Sequence, residues 1–184
     1  DAIAAGGPRA TLDALLTADE DVQGAANVAS GTWLLVSGGA GWRLQQVDAP
    51  QTQVPLAGAP LGLAAALETL YVLGNNEVLP FEADGTALPA VAAPGARLLV
   101  NGDVAAPALL RAPAMPSAAW ELDCLLLQSG CQSMAVTLPA GPVPTAATLV
   151  GGVLHLTLSD GTCLPGGGRV LALNAAGAPL VSWG

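Results

Sequence analysis

The 184-residue chain has no lysine, one histidine, one tyrosine, one phenylalanine and three cysteines. Each scarcity excludes a chemistry. Without lysine there is no Schiff base and no P-loop, so Gly166-Gly167-Gly168 is not a phosphate cradle of that type. A lone histidine, His155, cannot build the common multi-histidine zinc or copper sites. Charged residues make up only 10%, against about a quarter in an average globular domain. Five arginines against fourteen carboxylates leave a net charge of -9, which disfavours nucleic acid and anionic membrane surfaces. A cation or a basic protein patch is the compatible partner. No run reaches the roughly twenty apolar residues of a spanning helix. The nearest, Val143 to Leu158, is broken by Pro144, Gly151-Gly152 and His155, so no transmembrane segment is expected. The chain opens on Asp1 with no basic leader, as a processed exported chain or a trimmed one would.

Cysteine is sparse enough to read position by position. Cys124 and Cys131 are close enough to form a disulfide across Leu127-Gln128-Ser129-Gly130, which suits an oxidising compartment. The alternative is that all three cysteines are small buried apolar residues. If the bridge forms, Cys163 is the odd thiol, free or paired outside the chain.

What the chain has is apolar residues, at 52%. That excludes whole-chain disorder and supplies one good core. So few charges leave apolar surface to be covered by a partner or by further copies. Residues 1–31 hold five carboxylates and no aromatic, and are read as an N-terminal arm, extended or partly helical. Thr17-Ala18-Asp19-Glu20 has capping-box spacing, but no apolar helix follows it.

Residues 32–184 are read as a single all-β domain. Thr32 to Ser37 is a strand, and Gly41 to Val47 alternates apolar with polar residues. Pro50 and Pro55 place Gln53-Val54-Pro55-Leu56 at an edge. Leu61 to Leu67, Thr69 to Leu73, a Gly74-Asn75-Asn76 turn, Glu77 to Phe81 and Leu88 to Val91 repeat that order. Arg97 to Val100, Pro107 to Arg111, Ala119 to Leu125 and Ser133 to Leu138 make a third unit, and Ala146 to Gly184 a fourth. Trp33 and Tyr71 lie 38 residues apart in matching strands, and Leu154 follows Tyr71 by 83, about two such periods. A period near forty with four short strands is the signature of propeller blades.

The clearest copy is Arg169-Val170-Leu171-Ala172-Leu173-Asn174-Ala175-Ala176-Gly177 followed by Trp183. It resembles the blade repeat of quinoprotein-like β-propellers, roughly V-x-A-L-D-x-x-T-G-x-x-x-W, with Asn174 in place of Asp and a shorter turn. The resemblance implies a fold family and no activity. Nothing in the chain resembles residues that hold a quinone or its calcium, so no cofactor is expected. The fold expectation is a propeller-like repeat of about four four-stranded units, with a β-sandwich as the alternative.

Reactive groups do not converge. His155 alternates with Leu154, Leu156 and Leu158 and so faces away from them. No G-x-S-x-G occurs. Asp84, Asp103 and Asp160 adjoin glycines in turns, where Asp bonds its own backbone. Glu121 and Asp123 share a strand face that is read as solvated. Trp42 and Trp120 are the candidate ligand or partner contacts. No catalytic or metal-ligating residue is expected. The function expected is a non-catalytic, exported or cell-envelope repeat protein acting as a structural or interaction subunit, its partners other protein subunits or its own copies. The alternative is a propeller that binds a glycan or small molecule.

Overall fold

A computed structural model describes residues 15–102, 107–115, 119–124, 133–138, 141–151, 153–161, 168–174 and 179–183. Every regular element among them is a strand, apart from a single helical residue at Leu15. The strands come in consecutive antiparallel fours, here called blades. Blade 1 is β1 (Asp21–Val28), β2 (Gly31–Gly38), β3 (Gly41–Gln46) and β4 (Gln53–Leu56). Blade 2 is β5 (Gly62–Ala66), β6 (Thr69–Leu73), β7 (Glu77–Glu82) and β8 (Val91–Ala92). Blade 3 is β9 (Ala96–Gly102), β10 (Ala108–Arg111), β11 (Trp120–Cys124) and β12 (Met134–Val136). Blade 4 is β13 (Val143–Val150), β14 (Val153–Ser159), β15 (Gly168–Leu173) and β16 (Pro179–Trp183).

The propeller expectation holds, and the β-sandwich does not form. In a two-sheet sandwich each sheet buries one face, whereas the middle blades here bury both. Alternation along β6 sends Leu70 and Val72 into a core shared with Trp33, Leu35 and Leu44 of blade 1. The intervening Tyr71 and Leu73 join Leu99 and Leu109 of blade 3. Blade 3 presents Val100, Leu110 and Leu122 to Leu154, Leu156, Leu158, Leu171 and Leu173 of blade 4. Three cores therefore lie between four blades, which is why strands with almost no charge are stable.

The first strand of each blade is innermost: β1 packs on β5, β5 on β9, and β9 on β13. The last pair goes further. β9 and β13 bond in parallel, Thr148 opposite Asn101 and Leu149 opposite Gly102, which fuses blades 3 and 4 into one eight-stranded sheet. The Thr148 hydroxyl also donates to the Asn101 carbonyl, at 3.2 Å. Among the described residues no comparable contact returns from β13 to β1, so the four blades form an open fan.

Turns follow the local chemistry. The β6–β7 turn has Asn76 at φ 69°, the left-handed conformation that Asn tolerates best after glycine. Two-residue hairpins join the first and second strands of blades 2 and 4, and their leading residues, Leu67 and Gly151, share φ near 54° and 55°. β1 falls within the span read as an arm: Ala26 and Val28 alternate into the core and the strand pairs with β2 from Asp21 to Val28, with an irregularity at Gln23. Its small residues hid the alternation. The arm itself, as described, is residues 15–20.

Candidate functional site

Two faces of the fan have no neighbouring blade, and they are built differently. On blade 4, Leu154, Leu156 and Leu158 point toward blade 3, so His155 and Thr157 point outward. Register places Thr148 opposite His155, and Ala146, Thr157 and Val170 in one row across three strands. Val150 and Val170 are exposed, at 54% and 39%. Ala146, Thr148, His155, Thr157 and Val170 help line a shallow depression of about 140 Å³. No aspartate, glutamate or arginine is among the described residues of this face, in a chain of net charge -9.

On blade 1 the face turned away from blade 2 carries Leu34 and Val36, 4% and 0% exposed, and Gln45 at 1%. Residues 15–20 run against this end. The Glu20 carboxylate accepts from both terminal nitrogens of Arg43, Nη2 at 3.1 Å, and from the Thr17 N–H at 2.9 Å. Arg43 donates from Nε to Gln45 Oε1, while Gln45 Nε2 donates to the Pro50 carbonyl at 2.6 Å. Asp19 accepts from the Thr17 hydroxyl at 2.7 Å and from the Gly39 N–H at 3.2 Å. The Arg43 hydrogen bonds hold the Glu20 carboxyl down to about 2, with the Thr17 N–H assisting. Hydrogen bonds from Thr17, then Gly39, also lower the Asp19 carboxyl. The capping-box spacing is thus used, with Glu20 reaching back to Thr17 across a turn, not a helix.

The residues singled out from sequence are not gathered together. Trp42 lies on β3 and leans on the core between blades 1 and 2; Trp120 lies on β11 and leans on the core between blades 3 and 4. Both are half-buried, two blades apart. Cys124 ends β11, while Cys131 and Cys163 lie outside the described residues, as does Asp103. Asp84 caps its own turn by accepting the Thr86 N–H at 2.8 Å, which lowers its carboxyl. Asp123 accepts from Arg111 Nε at 3.0 Å and from the Ser133 hydroxyl at 2.9 Å, so it is engaged in the sheet. Among the described residues no three of His, Cys, Asp and Glu cluster to hold a metal, and no helix is long and apolar enough to cross a membrane.

Two features escaped the sequence reading. The Arg43–Glu20 pair was legible only as a lone arginine in an alternating strand. The outer face of blade 4 was legible only along β14, where His155 alternates with leucines, because β13 interleaves Ala and Thr with Leu and Val, a weak strand signal.

No protein-family model matches the chain, and no curated protein matches it in sequence. Solved structures do. Hsv2p of Kluyveromyces lactis is similar over 88% of this chain and 50% of its own, at 15% identity and TM-score 0.51. The Pan2 WD40 domain of Neurospora crassa is similar over 90% and 49%, at 10% identity and TM-score 0.53. YCF48 bound to D1 peptide is similar over 89% and 54%, at 12% identity and TM-score 0.51. The architecture is that of a β-propeller. This chain spans about half the length of those neighbours, and at such identities the likeness concerns the fold alone.

Proposed function

We propose that this chain is a propeller-type interaction scaffold, a non-catalytic structural subunit of a larger assembly. One observation carries the reading: among the described residues, the outer face of blade 4 presents Val150, Thr157 and Val170 to solvent and no Asp, Glu or Arg, while blades 2 and 3 pack both faces against their neighbours. An exposed apolar and hydroxyl face of this kind suits contact with another protein surface. The polar side chains support the same view. Glu20, Arg43, Gln45, Arg111 and Asp123 are all engaged in holding strands and turns, and His155 lines only a shallow depression among threonines and small apolar residues. One neighbour, YCF48, was solved with D1 peptide bound, so a propeller of this shape has accommodated a polypeptide partner.

An exported or cell-envelope location belongs to the same proposal. It rests on the scarcity of charge and the Cys124–Cys131 spacing. The alternative glycan or small-molecule site receives less support, because Trp42 and Trp120 lean on separate cores. The deciding experiment is chemical cross-linking of source cells followed by fractionation. Recovery of the chain in a complex of the envelope or medium is the expected result. A chain found uncomplexed in every fraction overturns the scaffold reading, and a complexed chain confined to the cytoplasm overturns the location.

A further inference from the structure

We infer that the β1–β2, β3–β4, β5–β6 and β7–β8 turns, which meet at one end of blades 1 and 2, dock a basic polypeptide segment of a partner protein. This rests on the scaffold reading and adds a second surface to it, with the chemistry of its partner. A neighbouring blade stacks on a blade's face and leaves the turns free, so this surface is the same whatever stands beside blades 1 and 4.

Charge sorts along the strands. Asp48, Glu68, Glu82 and Asp84 are exposed at this end. Arg43, Arg97, Arg111 and Arg169 each lie in the half of a strand nearer the opposite end, and no arginine among the described residues lies at this one. The four turns adjoin. The Ser30 hydroxyl donates to the Ala83 carbonyl at 2.6 Å, and Asp48 Oδ2 lies 2.5 Å from where a Cβ on Gly31 would stand. Thr69 sits opposite Glu82, which sets Glu68 beside it. No arginine pairs with Asp48, Glu68 or Glu82 among the described residues, so their mutual repulsion is relieved only from outside.

Two further groups at this end lack a use inside the chain. Leu67 leads the β5–β6 turn at φ 54° and is 75% exposed. It holds a left-handed conformation that Asn or Gly adopts at lower cost, and it gives nothing to the core. The other is a donor. Trp33 is fully buried, and its indole N–H has no hydrogen-bond partner among the described residues. Its Cη2 and Cζ2 lie 3.0 and 3.7 Å from where a Gly85 Cβ would stand. The N–H is on the same edge of the indole as Cζ2, so it is directed toward the Asp84–Gly85–Thr86 turn. A guanidinium or ammonium group answers the carboxylates, an apolar side chain answers Leu67, and a backbone carbonyl answers Trp33. A basic polypeptide brings all three, whereas a metal cation or a polyamine brings the first alone.

NMR titration with a short capped peptide alternating arginine and leucine tests this. Shift changes are expected in residues 29–32, 47–52, 66–69 and 82–86 and at the Trp33 indole N–H. Changes spread over the acidic residues of both ends overturn the inference, because they report net charge alone. Glu68→Gln with Glu82→Gln is expected to weaken the peptide at least about fivefold, and Glu77→Gln with Glu121→Gln, an equal change in net charge at exposed positions of the opposite end, by less than about twofold. Equal effects overturn the placement. Leu67→Asn should unfold at higher urea and bind the arginine–leucine peptide more weakly, while binding an arginine–glycine peptide as the native chain does. Native affinity for both peptides overturns Leu67 as the apolar anchor. Spermine that reproduces every shift, Trp33 included, overturns a polypeptide as the occupant. The two readings fail separately. A chain recovered in a cellular complex whose turns ignore the peptide sinks this inference and leaves the scaffold standing, whereas a chain that binds the peptide yet is uncomplexed in cells sinks the scaffold.

Discussion

The two ends of the fan share one architecture and one alternation of side chains, yet their outer faces are built differently. Blade 1 hides Val36 completely, leaves Val22 beside it 38% exposed and spends its single arginine on Glu20, whereas the described residues of blade 4's outer face leave Val170 and Val150 exposed and include no Asp, Glu or Arg. The difference shows that a sheet in this fold has no inherent inside. Both faces of a blade are written as interior, and what decides burial is whether something covers them. At blade 1, residues 15–20 are tied to the sheet by hydrogen bonds to the carboxylates of Glu20 and Asp19 and not by a helix.

The largest test places the same charge at both ends. Val36→Asp puts a carboxylate where no side-chain surface is exposed, and is expected to destabilise the fold by at least about 3 kcal/mol or to prevent folding. Thr157→Asp, on the exposed face of blade 4, should change monomer stability by no more than about 0.5 kcal/mol. Urea titrations of both variants at low concentration read the contrast. Equal losses would mean that the face of blade 4 is covered within one chain.

A smaller contrast uses two glycines. Gly85 sits at φ 89°, and a Cβ there would lie 2.9 Å from Val54 Cγ2 and 3.0 Å from Trp33 Cη2. Gly161, in blade 4, has φ 80° with nothing within 4 Å. Gly85→Ala therefore adds a clash with a rigid indole to the backbone strain, for a loss of about 3 kcal/mol, against about 1 kcal/mol for Gly161→Ala. Thermal unfolding of the pair checks it, and similar shifts would show that the core beside Trp33 yields easily.

The strands were legible because burial on both faces selects β-branched and leucine-rich runs bounded by Gly, Pro and Asn. Thr69 to Leu73 is one, and the turn at Asn76 fell where its conformation requires. β1 and β13 were less legible for one shared reason: Ala, Gly and Thr pack as well as larger residues beside an adjacent innermost strand, but they leave no periodic signal. The fusion of blades 3 and 4 was unreadable, since parallel pairing at Asn101 and Gly102 is a backbone event between strands distant in sequence. Trp42 and Trp120 stood out as rare aromatics, and each leans part of its surface on a core between blades. The open face could not be found from composition, because its residues match those of a covered one.

Releasing residues 15–20 from Arg43 tests whether they shield the end of blade 1. Arg43→Leu removes both donors to Glu20 and leaves Gln45 Oε1 without the Nε bond. The expected loss is about 1 kcal/mol, the scale of a charge-assisted hydrogen bond that solvent partly replaces. The informative readout is local: amide exchange at Leu34 and Val36 should rise well before global unfolding. Unchanged protection at those two amides would mean that the arm does not cover them.

The mildest expected effect comes from pH and acts on the same pair without mutation. The Glu20 carboxyl is held at about 2 in the folded chain against an ordinary 4.5, chiefly by Arg43. A group whose folded value is depressed binds fewer protons folded than unfolded between those limits, so its stabilisation is complete above about 4.5 and fades as pH falls through about 2. Acidification from neutral to about pH 3 should therefore loosen blade 1 before it touches blade 4, where no carboxylate is among the described residues of the outer face. Exchange protection at Leu34 and Val36 is expected to drop over this window in the native chain. In Glu20→Gln it should start lower and stay flat, since nothing is left there to titrate. An identical acid response in both proteins would assign the effect to other carboxylates, Asp19 first among them, whose own lowered value rests on Thr17 and Gly39 and not on Arg43.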